Sequence, residues 1–151
     1  MKKIYIAGFD VFCDDAKEIG EKYKDICRKY GFEGLYPLDN QCDKGIDIFK
    51  GNISLIEQAD IICANLNNFR GNEPDSGTAF EVGFGFAKGK KLYGYRESLK
   101  SLRDCLGEKD SEGYSVEDFG MCINLMIGCC CKIIEGGFED CVKAVKSELT
   151  K

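Results

Sequence analysis

The chain contains no histidine. Ser-His-Asp and Cys-His mechanisms are therefore closed to it, and acid, base and nucleophile roles fall to Asp, Glu, Tyr, Lys or Cys. Within residues 72–90, NEPDSGTAFEVGFGFAKGK, two carboxylates stand six residues apart, Asp75 and Glu81. Glu81 lies between Phe80 and Val82 in an apolar, glycine-rich run, where an unpaired buried carboxylate carries a heavy desolvation cost. A solvated helix glutamate is the alternative on these residues alone. The pattern places Asp75 in the loop before a helix and Glu81 in its second turn, so the loop can fold back and bring the two together. Glu81 then shares a helix face with Thr78 and Gly85, and a glycine there admits a ligand or a neighbouring backbone. Two carboxylates in unequal environments suit cleavage of a glycosidic bond, one ionised as nucleophile and one delivering a proton to the leaving group. Proximity to a helix amino end favours Glu81 as the anion. Asp75, on a more mobile loop, is expected to be the acid.

Two rival readings of this stretch fit less well. A dinucleotide fingerprint needs its first glycine directly after a strand, whereas the glycines of VGFGFAKG follow a helix start. DSG followed by Thr resembles the aspartic-protease loop, but the helical segment after it does not suit that β fold.

The elements that must position the pair can be read from periodicity. Residues 2–8 form a β-branched and aromatic run ending in glycine, expected as a buried first strand. Ala16, Ile19, Tyr23, Ile26 and Tyr30 recur at helical spacing, with Asp14 or Asp15 as cap and Gly31 as stop. Residues 32–36 read as a second strand and PLDNQCDKG as a loop. A helix through Ile46, Phe49, Ile53 and Ile56 follows, then a central strand over 60–66. The loop NNFRGNEPDSG precedes the helix of Glu81, expected over 77–88, and a fourth strand over 90–95. Residues 97–120 are polar and irregular, with at most a short helix. INLMIGCC suggests a helix, KIIEG a fifth strand, and residues 138–149 a last amphipathic helix.

Strands alternating with helices imply a mostly parallel sheet, since parallel strands need crossover connections. The expectation is an α/β three-layer fold of Rossmann-like or flavodoxin-like type, about five strands flanked by helices, in one domain over 1–151. Ligands in such sheets bind beyond the carboxyl ends of the strands at the switch point. The loops at 8–12, 38–41 and 67–81 are therefore the candidate site, which places Gly8, Phe9, Phe12, Gln41, Ser76 and Gly77 among the candidate substrate-binding residues.

Composition narrows the class of ligand. A net charge of −5 argues against a nucleic-acid partner, which would need a basic patch. No apolar stretch reaches the length of a membrane span, and MKKIYIAGFDVF lacks a signal-peptide cleavage pattern, so a cytoplasmic location is expected. The ten cysteines sit within regular apolar patterns and read as reduced thiols. With no C-x-x-C spacing and no histidine, no metal site is expected. Cys129, Cys130 and Cys131 read as small apolar packing residues.

The string FRGNEPDSGTAFEVGFGFAKGK resembles the signature of the nucleoside 2-deoxyribosyltransferases. IYIAG with Tyr5, PLDNQ at 37–41, the helix holding Asn52, and INLM at 123–126 match in the same order, from end to end of the chain. The resemblance implies transfer of a 2-deoxyribosyl group between nucleobases, with 2′-deoxynucleosides and free purine or pyrimidine bases as substrates and no cofactor. It implies Glu81 as the nucleophile at C1′, Asp75 as acid and base toward the departing and incoming bases, and Tyr5 as the hydroxyl that positions Glu81. Gln41 and Phe12 match positions lining the base pocket. Asn124 matches an asparagine that enters a neighbouring subunit's site to bind sugar, with Met126 beside it, which implies a homo-oligomer. Two residues depart from the pattern. Phe9 replaces a common proline, which bears on the first loop, and Asn52 replaces an aspartate that contacts the sugar in some members. The enzyme alternative is a 2′-deoxynucleoside 5′-monophosphate N-glycosidase, a hydrolase, and a non-catalytic nucleotide-binding module is the alternative from another class.

Overall fold

A computed structural model describes residues 1–151. Five strands form one sheet: β1 (Lys3–Ala7), β2 (Glu33–Leu35), β3 (Ile61–Asn65), β4 (Lys91–Arg96) and β5 (Lys132–Glu135). Their order is β2-β1-β3-β4-β5 and every pairing is parallel. This is the flavodoxin-like arrangement, whose switch point falls between β1 and β3. Register there runs from Ile4 opposite Ile61 to Ala7 opposite Ala64. All five residues of β3 are buried, as its central place requires.

Alternation along the strands divides the core in two. Ile4, Ile6, Ile61 and Cys63 pack on one face with Cys27 of α1 (Ala16–Lys29) and with Phe138, Cys141, Val142 and Val145 of α6 (Phe138–Leu149). Tyr5, Ala7, Ile62 and Ala64 pack on the other with Ile56 of α2 (Gly45–Gln58) and Val82 of α3 (Ser76–Ala87). Three layers result, because each face of a parallel sheet must be covered.

Some boundaries differ from the expectation. The second strand is three residues long, and α2 extends beyond its apolar periodicity at both ends. Residues 97–120 hold one short helix, α4 (Leu102–Leu106), and an isolated antiparallel bridge between Lys109 and Ser115. INLMIGCC supplies only a single turn, α5 (Leu125–Gly128). Of the three consecutive cysteines only Cys131 enters the core, while Cys129 is exposed. No helix is long and apolar enough to cross a membrane.

Candidate active site

The three loops at the carboxyl ends of β1, β2 and β3 converge on the α2 and α3 side of the sheet. The first is pinned at the switch point. A Cβ on Gly8 would lie 2.7 Å from Asn65 Cβ and 2.7 Å from Asp10 Oδ2, so a larger residue there would part the loop from β3. Asp10 Oδ2 accepts from Asn65 Nδ2 at 3.0 Å and Asp10 Oδ1 from the Tyr23 hydroxyl at 3.2 Å. The backbone then turns through a short 3-10 segment, Phe9–Phe12. Phe69, from the loop after β3, stacks on both Phe9 and Phe12, with centroids 4.9 and 5.5 Å apart. Phe9 thus ties two loops together, and it lines a separate concavity with Asp10, Tyr23 and Asn65 and not the one that holds Glu81.

Asp75 is the N-cap of α3. Its Oδ2 accepts from Thr78 N and from Thr78 Oγ1, both at 2.9 Å. Sequence reasoning expected a mobile loop carboxylate; the cap contacts instead hold it in place, and because both fall on Oδ2 they leave Oδ1 for a ligand. Glu81 follows in the second turn and is half-buried. The fully buried Tyr5 donates its hydroxyl to Glu81 Oε2 from beneath, out of β1. Burial raises the Glu81 carboxyl to about 7; the Tyr5 hydrogen bond opposes that rise and the Asp75 charge adds to it. Free Glu81 therefore holds its proton more tightly than an exposed glutamate, contrary to the simple helix-end argument. Burial, then the Glu81 charge and hydrogen bond, push the Tyr5 hydroxyl upward, so it remains a neutral donor.

Glu81 and Asp75 face one cavity of about 350 Å³. Gly8, Phe12, Asn52 and Gly77 line it, and no lysine or arginine does. Its walls are mostly apolar, with Leu38, Ile48, Phe49 and Phe80 prominent. Ser76 begins α3 at the rim and is exposed. Gly85, one turn beyond Glu81, faces the sheet: a Cβ there would lie 2.2 Å from Ile62 Cδ1. That glycine lets α3 approach β3, while Gly8 and Gly77 line the cavity.

Other expected residues lie elsewhere. Gln41 is exposed in an adjoining concavity with Lys17, Glu21 and Asp43. Asn124 caps α5, accepting from Met126 N and donating to Glu117 Oε1, both at 2.9 Å. With Met126 it belongs to a separate apolar concavity beside Phe86 and Gly83, on another side of α3. Asn40, within the expected 38–41 loop though not singled out there, lines the Glu81 cavity, as do Cys42 and Phe49, which lie outside the expected loops. Asn40 stands in the PLDNQ string, next to the glutamine that drew attention. Phe49 belongs to the apolar periodicity of α2, which marks a buried stripe without saying whether it faces core or cavity.

Residues 4–126 match the family model described as nucleoside 2-deoxyribosyltransferase. An uncharacterized protein of Schizosaccharomyces pombe is 33% identical over 119 residues, covering 66% of this chain and 56% of that protein. The chain thus spans little more than half the length of that curated relative. Among solved structures, a 2-desoxiribosyltransferase from Leishmania mexicana superposes with a TM-score of 0.89 at 32% identity, covering 97% of this chain and 98% of that one. A 2-deoxyribosyltransferase from Bacillus psychrosaccharolyticus shares the fold at 22% identity and a TM-score of 0.62, over 95% and 90% of the two chains. So does a CMP N-glycosidase from Clostridium botulinum, at 16% identity and a TM-score of 0.56, over 97% and 99%. The matched family model takes in the switch-point strands, the capped helix and both carboxylates, and the chain belongs to the nucleoside 2-deoxyribosyltransferase family.

Proposed function

We propose that this protein transfers the 2-deoxyribosyl group of a 2′-deoxynucleoside to a second nucleobase by double displacement at C1′. The observation that carries the reading is the pairing of Glu81, anchored by Tyr5, with Asp75 on one apolar cavity. Glu81 attacks C1′ as the glycosidic bond breaks, and Asp75 gives its proton to the departing base. The incoming base then attacks C1′ from the opposite side, displaces Glu81 and returns its proton to Asp75. Two inversions restore the β anomer, as in retaining glycosidases. These two displacements need neither metal nor organic cofactor.

The cavity supports a neutral substrate over a 5′-monophosphate. Two carboxylates face it, no cationic side chain lines it, and a phosphate would be left without a partner. Arg70 stays at the rim, its guanidinium 4.5 Å from the Phe69 ring centroid and 5.3 Å from that of Phe12. A non-catalytic module would leave the buried Tyr5–Glu81 pair without a purpose. The active form is proposed to be a homo-oligomer in which Asn124 completes a neighbouring site. Support comes from the exposure of Phe86 (63%) and Met126 (74%) beside it.

Incubation of 2′-deoxyinosine with adenine, without phosphate, is expected to yield 2′-deoxyadenosine and hypoxanthine. Release of deoxyribose alone would favour hydrolysis, and binding without turnover would favour the module. Intact mass spectrometry is expected to find one deoxyribosyl group added to the protein, and Glu81→Ala to lose both the adduct and the transfer. Normal turnover by that variant would sink the nucleophile assignment.

A further inference from the structure

Thr78 is fully buried on the sheet side of α3, in a core that is otherwise almost wholly apolar. Burying a hydroxyl costs free energy that valine, of nearly the same shape, would avoid. The group it serves is Asp75. Thr78 N and Thr78 Oγ1 both donate to Asp75 Oδ2, each at 2.9 Å. The N–H contact by itself completes the N-cap of α3, so capping does not require the hydroxyl. What the second donor adds is orientation. A carboxylate held by one contact on one oxygen can swing about it, whereas two donors on that oxygen occupy its lone pairs and fix the plane of the group. Gly77 leaves the space this needs, since a Cβ there would lie 3.2 Å from the same Oδ2. Both protein contacts of the Asp75 side chain thus fall on Oδ2, and the residue lines the Glu81 cavity.

We infer that Thr78 is a positioning residue that decides which oxygen of Asp75 carries the transferable proton. The inference rests on the deoxyribosyl-transfer reading. With the lone pairs of Oδ2 taken by Thr78, a proton on Asp75 sits on Oδ1, the oxygen left for a ligand. As the C1′–N bond breaks, its electron pair passes to the base nitrogen, and the base takes the proton from Oδ1. In the second displacement a nitrogen of the incoming base attacks C1′, the bond from C1′ to Glu81 breaks with its electron pair going to the carboxylate, and the N–H proton of the base returns to Oδ1. Oδ2 keeps its two contacts throughout, so the acid stays aligned for both directions of transfer. Thr78, being fully buried, acts only through Asp75.

The test compares leaving groups. Hypoxanthine leaving 2′-deoxyinosine needs the proton, whereas para-nitrophenolate leaves para-nitrophenyl 2-deoxy-β-ribofuranoside as a stable anion. Thr78→Val keeps the backbone cap and removes the hydroxyl. The ratio of kcat/KM for 2′-deoxyinosine to that for the nitrophenyl compound is expected to fall about 10-fold, the usual loss for a hydrogen bond to a charged group. Thr78→Ser, which restores the hydroxyl, is expected to bring the ratio back. Gly77→Ala, at an exposed position, crowds Oδ2 from the other side and is expected to lower the same ratio. An equal fall for both substrates in Thr78→Val would mean that α3 had merely shifted, and would overturn the assignment, as would an unchanged ratio. Failure of the transfer reading is distinct: a wild-type protein that cleaves neither compound removes that reading and the role of Thr78 with it.

Discussion

At the scale of the residue, the site turns on one hydrogen bond. In the proposed mechanism Glu81 must be ionised to attack C1′, yet burial lifts its carboxyl to about 7, and the Tyr5 hydroxyl is the group that pulls it back. The kcat/KM for deoxyribosyl transfer is accordingly expected to show a rising limb near about 7 as Glu81 ionises, because this ratio reports the free enzyme. Tyr5→Phe removes a donor that favours the anion, so the Glu81 carboxyl climbs further and the rising limb moves to higher pH. A pH–rate profile of the variant checks this, and an unmoved limb would remove Tyr5 from that role. Asp75 works under a different constraint. Its cap contacts hold Oδ2, and the free Oδ1 can exchange a proton with a base without loosening the helix.

At the scale of the element, α3 determines where Glu81 sits. Thr78 and Val82 are buried against the sheet, and Gly85 allows the closest approach to β3 and β4. Gly85→Ala places a methyl group 2.2 Å from Ile62 Cδ1 and 3.1 Å from Leu92 Cδ2, so helix or sheet side chains must move. The expected cost is about 1–3 kcal/mol in denaturant unfolding, in line with overpacked cores. Transfer activity is expected to fall as well, since Glu81 stands one turn away. Wild-type stability in Gly85→Ala would show that Ile62 can yield freely. Tyr5 lies on β1 and Gly8 directly follows that strand, so one strand and the residue after it supply both the floor under Glu81 and a wall of the cavity.

At the scale of the whole molecule, the cavity and the Asn124 concavity lie on different sides of α3. One chain therefore does not bring Asn124 to its own Glu81; in the proposed oligomer a neighbouring chain supplies it. Glu81→Ala and Asn124→Ala are each expected to be inactive alone. Mixing the two, with exchange of subunits, is expected to restore transfer, because a mixed assembly contains sites with Glu81 from one chain and Asn124 from the other. Continued inactivity of verified mixed assemblies would place Asn124 outside the site.

Local chemistry made much of this legible in the chain itself. The absence of histidine directed attention to carboxylates, alternating strand and helix periodicities implied the parallel three-layer sheet, and the spacing of Asp75 and Glu81 placed one before a helix and one within it. These features depend on neighbours within a few residues. What required the tertiary structure was the environment of each group: Asp75 fixed as a cap, Gly85 turned to the sheet, Gln41 outside the cavity and Asn40 inside it. Sequence periodicity identifies which face of an element is apolar, but whether that face meets core, cavity or solvent depends on elements far along the chain. The same holds for acidity, since the rise of Glu81 comes first from burial, a property only the assembled layers create.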